Sequence, residues 1–175
     1  MSLLHVSANA VEVPLSEMPK DFESALAYWT DKRGGRAFPS RADIDPIDFK
    51  NYLGRVTLVS VRDTAPRFTL RVVGSSHFFR KHGPRDGRDL MDIKPTEYAS
   101  EVARQYEVTL ERRRPTVFTT TLEFRGTAFS FTRLALPLGA DTEVPDMLLA
   151  VVEFDATEQT TFFSRYEEEL KRLAG

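Results

Sequence analysis

The stretch from residue 117 to 154, VFTTTLEFRGTAFSFTRLALPLGADTEVPDMLLAVVEF, decides the fold of this chain. Residues 117–124 place Phe118, Leu122 and Phe124 on one side of the backbone, which is the period of a β-strand with one buried face. Turns at Arg125-Gly126 and at residues 139–145 separate this strand from two others, at 127–136 and 147–154. The stretch therefore predicts three consecutive antiparallel strands joined by hairpin turns.

Two more strands are expected earlier in the chain, at residues 55–62 and 67–73, and a turn of hairpin length joins them. Between the two groups of strands, Tyr98, Val102 and Tyr106 recur every four residues, which is the spacing of a helix with one buried side. This order of elements indicates an α+β domain. We therefore expect a five-stranded antiparallel sheet with helices packed on one face.

Helical segments flank this unit on both sides. Phe22 and Trp29 lie on one side of an amphipathic helix that Gly34 ends, and Asp45 with Pro46 begins a short second helix. A final helix follows the last strand. The sequence thus divides into an N-terminal arm at 1–18, a helical extension at 19–54, a core at 55–154 and a C-terminal helix at 155–175.

The composition narrows the possible functions. The 175 residues include no cysteine, which excludes disulfides and any cysteinyl adduct with a flavin chromophore. The formal net charge of −2 argues against nucleic-acid binding, which usually needs a basic surface. No apolar run is long enough to cross a bilayer, and the first residues lack the pattern of a secretion signal. We therefore expect a cytoplasmic protein that does not contact a membrane.

Several short motifs, in a fixed order, resemble those of a known family. They are RFTLRVVG at 67–74, GPRDGRDL at 83–90 and RLALPL at 133–138, preceded by Trp29, by Pro39-Ser40-Arg41 and by Asp45-Pro46. Together they resemble a bacterial subfamily of single-domain PAS proteins over residues 22–154. The resemblance implies a PAS-like fold and a standalone sensory or regulatory role in signal transduction. It also implies a small molecule between sheet and helices, whose presence changes a dimer interface or a contact with a signalling protein.

The residues expected to line a ligand pocket face the space between the sheet and the helices. Arg133 shares its strand face with Phe129 and Phe131, so its charge is expected to be partly buried and to need a counter-charge. That partner is either a ligand carboxylate or an acidic side chain such as Glu123, and an internal salt bridge is the commoner arrangement. The expected lining residues are His77, Phe78, Tyr98, Val102, Tyr106, Phe118, Thr120, Leu122 and Arg133.

His77 and His82 flank a short predicted helix, where an imidazole could bind a metal or a haem iron. Their spacing does not match a helical zinc pair and no cysteine assists, so surface or hydrogen-bonding roles are favoured. We therefore expect no metal site and no haem, and the sequence does not identify the small organic ligand. No catalytic residue is expected either, because the sequence carries no recognisable catalytic motif.

The aromatic residues of the two flanking helices are expected to form interfaces. One helix would cover the open face of the sheet and the other would pack against a second copy, because exposed aromatic patches usually mark contacts. Two-fold dimers are the commonest assemblies, so a homodimer is expected. The residues concerned are Phe22, Trp29, Phe162, Phe163 and Tyr166.

Two alternatives to a ligand sensor stay open. The domain could be a protein-interaction adaptor with a filled core, which signals through its terminal helices without a ligand. It could also be a small α+β enzyme, although no Ser-His-Asp order, HExxH motif or glycine-rich phosphate loop supports this. A retained small molecule would favour the sensor, and a tightly packed interior would favour the adaptor.

Overall fold

The computed structural model describes residues 4–83, 85–140 and 143–175. Parts of the predicted arm, of the loop at 83–90 and of the turn at 139–145 lie outside these described residues. Within them the expected α+β architecture is confirmed, since an antiparallel sheet is flanked by helices. No helix in the described ranges is long and apolar enough to span a membrane.

The described residues form a sheet of six strands. They are β1 (Ser7–Val13), β2 (Val56–Val61), β3 (Phe68–Val73), β4 (Thr116–Phe124), β5 (Thr127–Leu138) and β6 (Met147–Phe154). Their order across the sheet is β1-β4-β5-β6-β2-β3, and every neighbouring pair is antiparallel. The predicted meander is β4, β5 and β6, which occupies the middle of the sheet, and the predicted hairpin of β2 and β3 completes one edge.

The sheet has one strand more than expected. β1 lies in the segment predicted to be an irregular arm, and it pairs with β4 from Ser7 opposite Glu123 to Val13 opposite Val117. Val6, just before β1, is fully buried in the core. The sequence does not reveal β1 because its alanines have a weak strand preference, whereas pairing with the distant β4 supplies the stabilisation.

Three α-helices lie within the described ranges. They are α1 (Glu23–Arg33), α2 (Thr96–Arg112) and α3 (Ala156–Ala174). Asp155 begins α3 as predicted, and its carboxylate accepts hydrogen bonds from the backbone nitrogens of Thr157 and Glu158 at 2.8 and 2.9 Å. The short helix predicted before the first hairpin is a 3-10 helix, Pro46–Arg55, and another 3-10 helix, Phe78–His82, follows β3.

The buried apolar side chains of the described chain form two cores, one on each face of the sheet. The first core lies beneath α2 and α3 and includes Tyr106 and Phe162. The second core lies beneath α1 and the 3-10 helix Pro46–Arg55. It includes Trp29, whose Nε1 donates a hydrogen bond to the Pro137 carbonyl oxygen at 2.8 Å. The N-terminal helix therefore covers the sheet face that α2 and α3 leave open.

The aromatic side chains predicted to form interfaces are buried within the single chain. Phe22 and Trp29, at the start of α1 and within it, belong to the second core. The three aromatic residues of α3 belong to the first core. The structure therefore corrects the prediction of an exposed aromatic patch, because each flanking helix buries its apolar side on the sheet. The residues are Phe22, Trp29, Phe162, Phe163 and Tyr166, of which Tyr166 is the most exposed at 7%.

Candidate functional site

Arg133 places a positive charge inside the first core. It lies in the middle of β5, opposite Phe118 of β4 and Val152 of β6, and strand alternation points its side chain toward α2. The residue is 3% exposed. Its Nη2 donates a hydrogen bond to Tyr98 Oη at 3.2 Å, whereas Nε and Nη1 have no hydrogen-bond partner among the described residues.

Aromatic rings surround the Arg133 guanidinium. Its Cζ lies 5.1 Å from the centre of the Phe131 ring and 5.7 Å from the centre of the Tyr106 ring. The electron-rich faces of such rings attract a cation. Burial keeps the pKa of Tyr106 above its usual value even though the nearby Arg133 charge acts to lower it. The phenol is therefore neutral, and the guanidinium is held by groups that carry no negative charge.

The salt bridge with Glu123 predicted for Arg133 is absent. Glu123 is exposed, because alternation along β4 points it to the opposite face from Leu122 and Phe124, which lie in the first core. Among the described residues, no carboxylate oxygen lies within the 4.0 Å of an Arg133 nitrogen that defines a salt bridge. The charge of Arg133 therefore lacks a direct counter-charge in this part of the chain.

Glu101 and Gln105 of α2 form a polar network at the same face of the sheet. The Nε2 of Gln105 donates to Glu101 Oε1 at 3.0 Å and to Thr120 Oγ1 at 2.7 Å. Burial acts to raise the pKa of Glu101, but hydrogen bonds from Arg104 and Gln105 outweigh it and hold that pKa below its usual value. Gln105 itself is buried and its Oε1 has no partner, so a second polar atom of the interior is free to bind.

His77 is buried in the same interior and is uncharged. Its ring stacks on Phe79 with 5.3 Å between ring centres, and its Nε2 lies 3.5 Å from Thr57 Oγ1. Burial, assisted by the positive charge of Arg133, lowers the pKa of His77 to about 3. In the described part of the chain, no three His, Asp or Glu side chains are grouped so that they could hold a metal. His77 is therefore a neutral hydrogen-bonding group.

Helix α3 is attached to the segment that carries His77 and Phe78. Gln159 of α3 accepts a hydrogen bond from the Phe78 backbone nitrogen at 3.1 Å and donates one to the Ser76 carbonyl oxygen at 2.9 Å. The Phe78 ring also stacks on Phe163 of α3, with 5.1 Å between ring centres. The segment 76–82 therefore contacts the interior on one side and α3 on the other.

Charged side chains at the end of this segment add to its attachment. One carboxylate oxygen of Glu167 on α3 forms an ion pair with Lys81 Nζ at 3.0 Å, and the other contacts His82 Nε2. His82 is exposed, so the two histidines that flank the 3-10 helix have different surroundings. His77 belongs to the interior and His82 to the contact with α3.

The predicted lining residues are all buried, but they do not form a single site. Tyr98 and Tyr106 contact Arg133. Phe78 instead packs on α3. The centre of the Phe118 ring lies 5.4 Å from Cζ of Arg104 on α2. The other members are buried in the same interior, namely His77, Val102, Thr120 and Leu122. Their role in ligand binding stays a prediction.

Gln105 and Phe79 contact this interior and are absent from the predicted set. Gln105 lies three residues after Val102, so the helical spacing that selects the buried side of α2 also selects Gln105. A search for apolar residues on this side of α2 does not select Gln105, because its side chain is polar. Phe79 lies in a 3-10 helix of five residues, which is too short to show a period.

Residues 18–153, most of the chain, match the family model of the PAS domain. No curated protein matches the chain. The matched range contains β2 to β5, nearly all of β6, and every side chain described around Arg133, whereas β1 and α3 lie outside it. The match and the Arg133 site therefore fall on the same part of the sequence.

Proposed function

Because this chain belongs to the PAS domain family, whose members generally serve as sensory or regulatory modules, we propose that it is a ligand sensor. In this proposal a small organic molecule binds beside Arg133, between the sheet and α2. Its binding alters the contact between α3 and the segment 76–82. The change is passed to a second copy of the chain or to a signalling protein.

The two unpartnered nitrogens of Arg133 carry this proposal. Removing a guanidinium from water is strongly unfavourable unless the charge is paired and hydrogen-bonded. A bound molecule that accepts hydrogen bonds from Nε and Nη1 would offset that penalty. Buried charged groups in unusual surroundings also occur most often at functional sites. These arguments favour a binding site over a core that is only structural.

Output through α3 is supported by the contacts of the segment 76–82. The Phe79 ring lies 6.0 Å from the Tyr98 ring, and Tyr98 accepts the hydrogen bond of Arg133. The same segment is held to α3 by the two hydrogen bonds of Gln159. A ligand that displaces Tyr98 would therefore affect α3 both through this segment and through the contact of the Tyr98 ring with Phe163 of α3.

A homodimer would have to use side chains other than the aromatic residues first predicted. Ile47 and Leu53 of the 3-10 helix Pro46–Arg55 are 73% and 53% exposed. They are two 3-10 turns apart and so lie on the same side of that helix. This exposed apolar pair is our candidate for the contact with a second copy, since burying it would remove apolar surface from water.

The adaptor is the second candidate function, and the packing of Tyr98 favours it. The Tyr98 ring contacts three other aromatic rings, those of Phe79, Phe131 and Phe163, at 5.5 to 6.0 Å between centres. Such contacts fill space that a ligand would otherwise occupy. In this case the interior would only support the fold, and signalling would depend on partner contacts at the surface.

Native mass spectrometry of the purified full chain, with an absorption spectrum of the same sample, separates these two functions. The sensor predicts a species heavier than one or two chains of 19.9 kDa, and release under denaturing conditions should give the chain mass and a small molecule. A species at twice the chain mass plus ligand would also support the dimer. Protein of bare chain mass, which gains no mass from a cell extract of small metabolites, would overturn the sensor and support the adaptor.

A further inference from the structure

We propose that the molecule recognised at Arg133 is a small monoanionic carboxylate, which accepts hydrogen bonds from guanidinium N–H groups that have no partner among the described residues. This inference rests on the proposed sensor function and adds the chemical class of the ligand. It follows from the charge, the free donors and the surroundings of one side chain.

The charge of Arg133 requires a negative partner. A guanidinium carries its positive charge at any ordinary pH and offers five N–H donors. Within the described ranges the bond from Nη2 to Tyr98 is the one hydrogen bond of the guanidinium, so the three N–H groups on Nε and Nη1 have no partner there. Tyr98 and the rings of Phe131 and Tyr106 are neutral, so they do not balance the charge. An anionic acceptor satisfies both the donors and the charge.

A carboxylate fits this position better than a phosphate. Hydrogen bonds from a guanidinium to a carboxylate are short and strong because both partners are charged. A phosphate dianion would bring two negative charges to one cation, because neutral His77 adds none. The carboxylate of Glu101 also acts electrostatically on Arg133, which further disfavours a second negative charge. One positive charge in this interior therefore matches one carboxylate.

The surroundings of Arg133 also restrict the rest of the ligand. On the same face of the sheet, Ala135 of β5 lies opposite Ala150 of β6, so small side chains adjoin the guanidinium. The neighbouring rings of Phe131 and Tyr106 provide apolar surface. The unpartnered Oε1 of Gln105 can accept one hydrogen bond. These features favour a compact apolar or aromatic acid, with a hydroxyl or amino group as an additional donor.

Two surface clefts lie along the segment 76–82. A surface cleft of about 610 Å³ is lined by Ser76 and His77, and another of about 120 Å³ is lined by Phe79. Phe79 contacts Tyr98, which binds Arg133. The Phe79 ring, which contacts Tyr98, therefore lies between the second cleft and the group that binds the guanidinium. Displacing it to admit a ligand would act on the same segment that Gln159 ties to α3.

The Nε–Hε resonance of Arg133 in the ¹⁵N-labelled full chain tests this proposal directly. The probes are formate, acetate and benzoate, each compared with its neutral amide, at constant ionic strength. We expect a saturable shift of this resonance with at least one carboxylate, and affinity for the matching amide lower by roughly tenfold or more. The exposed Arg71, whose Nε donates to Ser60 Oγ at 2.7 Å, is the control and should show no saturable shift.

Two variants assign the effect to the guanidinium. Arg133→Lys keeps the charge and loses Nε–Hε, which identifies the resonance, and Arg133→Met removes the charge while keeping an apolar side chain of similar length. We expect Arg133→Met to abolish the increase in Tm that the active carboxylate gives the natural chain. If Arg133→Met does not fold, the Arg133→Lys protein provides the test, because loss of the guanidinium hydrogen bonds should weaken carboxylate binding roughly tenfold.

The results distinguish failure of this inference from failure of the sensor itself. Equal shifts with carboxylates and amides, or no saturable shift with any of the three carboxylates, would overturn the carboxylate proposal. If native mass spectrometry then still finds a bound neutral molecule, the sensor function stands and only the carboxylate proposal fails. A chain that binds neither a carboxylate nor any small molecule overturns both.

Discussion

Arg133 and His77 are buried in one core, and the two side chains respond to burial in different ways. Arg133 keeps its charge because a guanidinium does not lose its proton at accessible pH. The imidazole of His77 can lose its proton, and both burial and the neighbouring cation favour the neutral form, with a pKa of about 3. The interior therefore carries one positive charge at neutral pH, and an anion entering it meets a single cation.

We expect His77 to make the stability of the fold depend on pH. The folded protein holds His77 at a pKa of about 3, against 6.5 for an unperturbed histidine, so below about pH 6.5 the unfolded chain binds a proton that the folded chain does not. The free energy of unfolding should therefore fall with falling pH, by roughly 1.4 kcal/mol per pH unit between about pH 6 and pH 4.

The matched variant for this prediction is His77→Gln, which keeps a polar side chain and removes the titrating ring. Urea denaturation at several pH values gives the free energy of unfolding for both proteins. The difference in free energy of unfolding between the two proteins should change by roughly 1.4 kcal/mol per pH unit between about pH 6 and pH 4. The titration of the carboxylates, which is the same in both proteins, cancels in this difference. Parallel curves for the two proteins would contradict the predicted burial of a neutral His77.

We expect Arg133→Met to stabilise the ligand-free protein. Replacing buried charges by apolar side chains of similar volume is often neutral or stabilising by about 1–4 kcal/mol. In a chain of this size each kcal/mol raises Tm by roughly 2–4 °C, so scanning calorimetry on ligand-stripped protein should resolve the change. Arg71→Met at an exposed position is the control and should stay within about 0.5 kcal/mol. A lower Tm for Arg133→Met would mean that the bond to Tyr98 and the ring contacts outweigh the loss of hydration.

The N-terminal elements secure both faces of the sheet. Leu4 and Val6 are buried in the first core, β1 then extends the sheet beside β4, and α1 closes the second core on the opposite face. These contacts span large distances in the sequence. The segment predicted to be an irregular arm is thus an integral part of the packed structure.

Two valines near the start of the chain test this arrangement. Val6 is fully buried, whereas Val11 on β1 is 69% exposed. We expect Val6→Ala to lower the free energy of unfolding by about 1.5–3 kcal/mol because it removes buried apolar surface and leaves a cavity. Val11→Ala should change it by less than about 0.5 kcal/mol. Guanidinium denaturation measures both values, and equal effects would argue that the first residues are not docked in the core.

Trp29 provides the corresponding test for α1. We expect Trp29→Ala to lower the free energy of unfolding by about 3–5 kcal/mol, because the ring fills the second core. Trp29→Phe keeps an aromatic ring and removes only part of the packing and the hydrogen bond to the Pro137 carbonyl oxygen. Its loss should therefore be clearly smaller when both variants are compared by urea denaturation. A loss below about 1 kcal/mol for Trp29→Ala would contradict the packing role of this residue.

The elements with strong local patterns could be predicted from the sequence, and those that depend on distant partners could not. The alternation in β4 and the four-residue spacing in α2 each report a buried face directly. β1 is stabilised by β4, more than 100 residues away, and no local pattern records that pairing. For Arg133 the sequence correctly predicts the buried face. The missing partner could not be predicted, because it depends on where every other carboxylate lies in space.

At the scale of the whole molecule, the sheet separates two cores that have different roles. The buried members of the second core are aliphatic and aromatic, and the polar atoms of Trp29 and Tyr52 among them are hydrogen-bonded. The first core contains Arg133, His77 and Gln105, and it contacts the segment 76–82 that Gln159 ties to α3. We therefore place structural support on one face of the sheet and the proposed ligand response on the other.

Gln159→Leu tests this connection. The variant removes both hydrogen bonds to the segment 76–82 while keeping a side chain of similar size. We expect the amides of α3 and of residues 76–82 to exchange with deuterium roughly thirtyfold faster, since the two lost bonds contribute about 1 kcal/mol each. Amides of β5 should keep their protection, and Thr160→Ala at the adjacent exposed position should behave as the natural chain. Unchanged exchange in α3 would show that Gln159 does not couple the two elements.

The pairing of β1 with β4 also has a consequence for synthesis of the chain. β1 leaves the ribosome long before its partner, because Ser7 pairs with Glu123. At about 5–20 residues per second, the strand waits for roughly 5–20 s with its backbone unpaired. An apolar strand exposed for that time would attract other nascent chains, but the exposed Asn9 and Glu12 oppose such association. The polar residues of β1 thus help to protect the unfinished protein from aggregation.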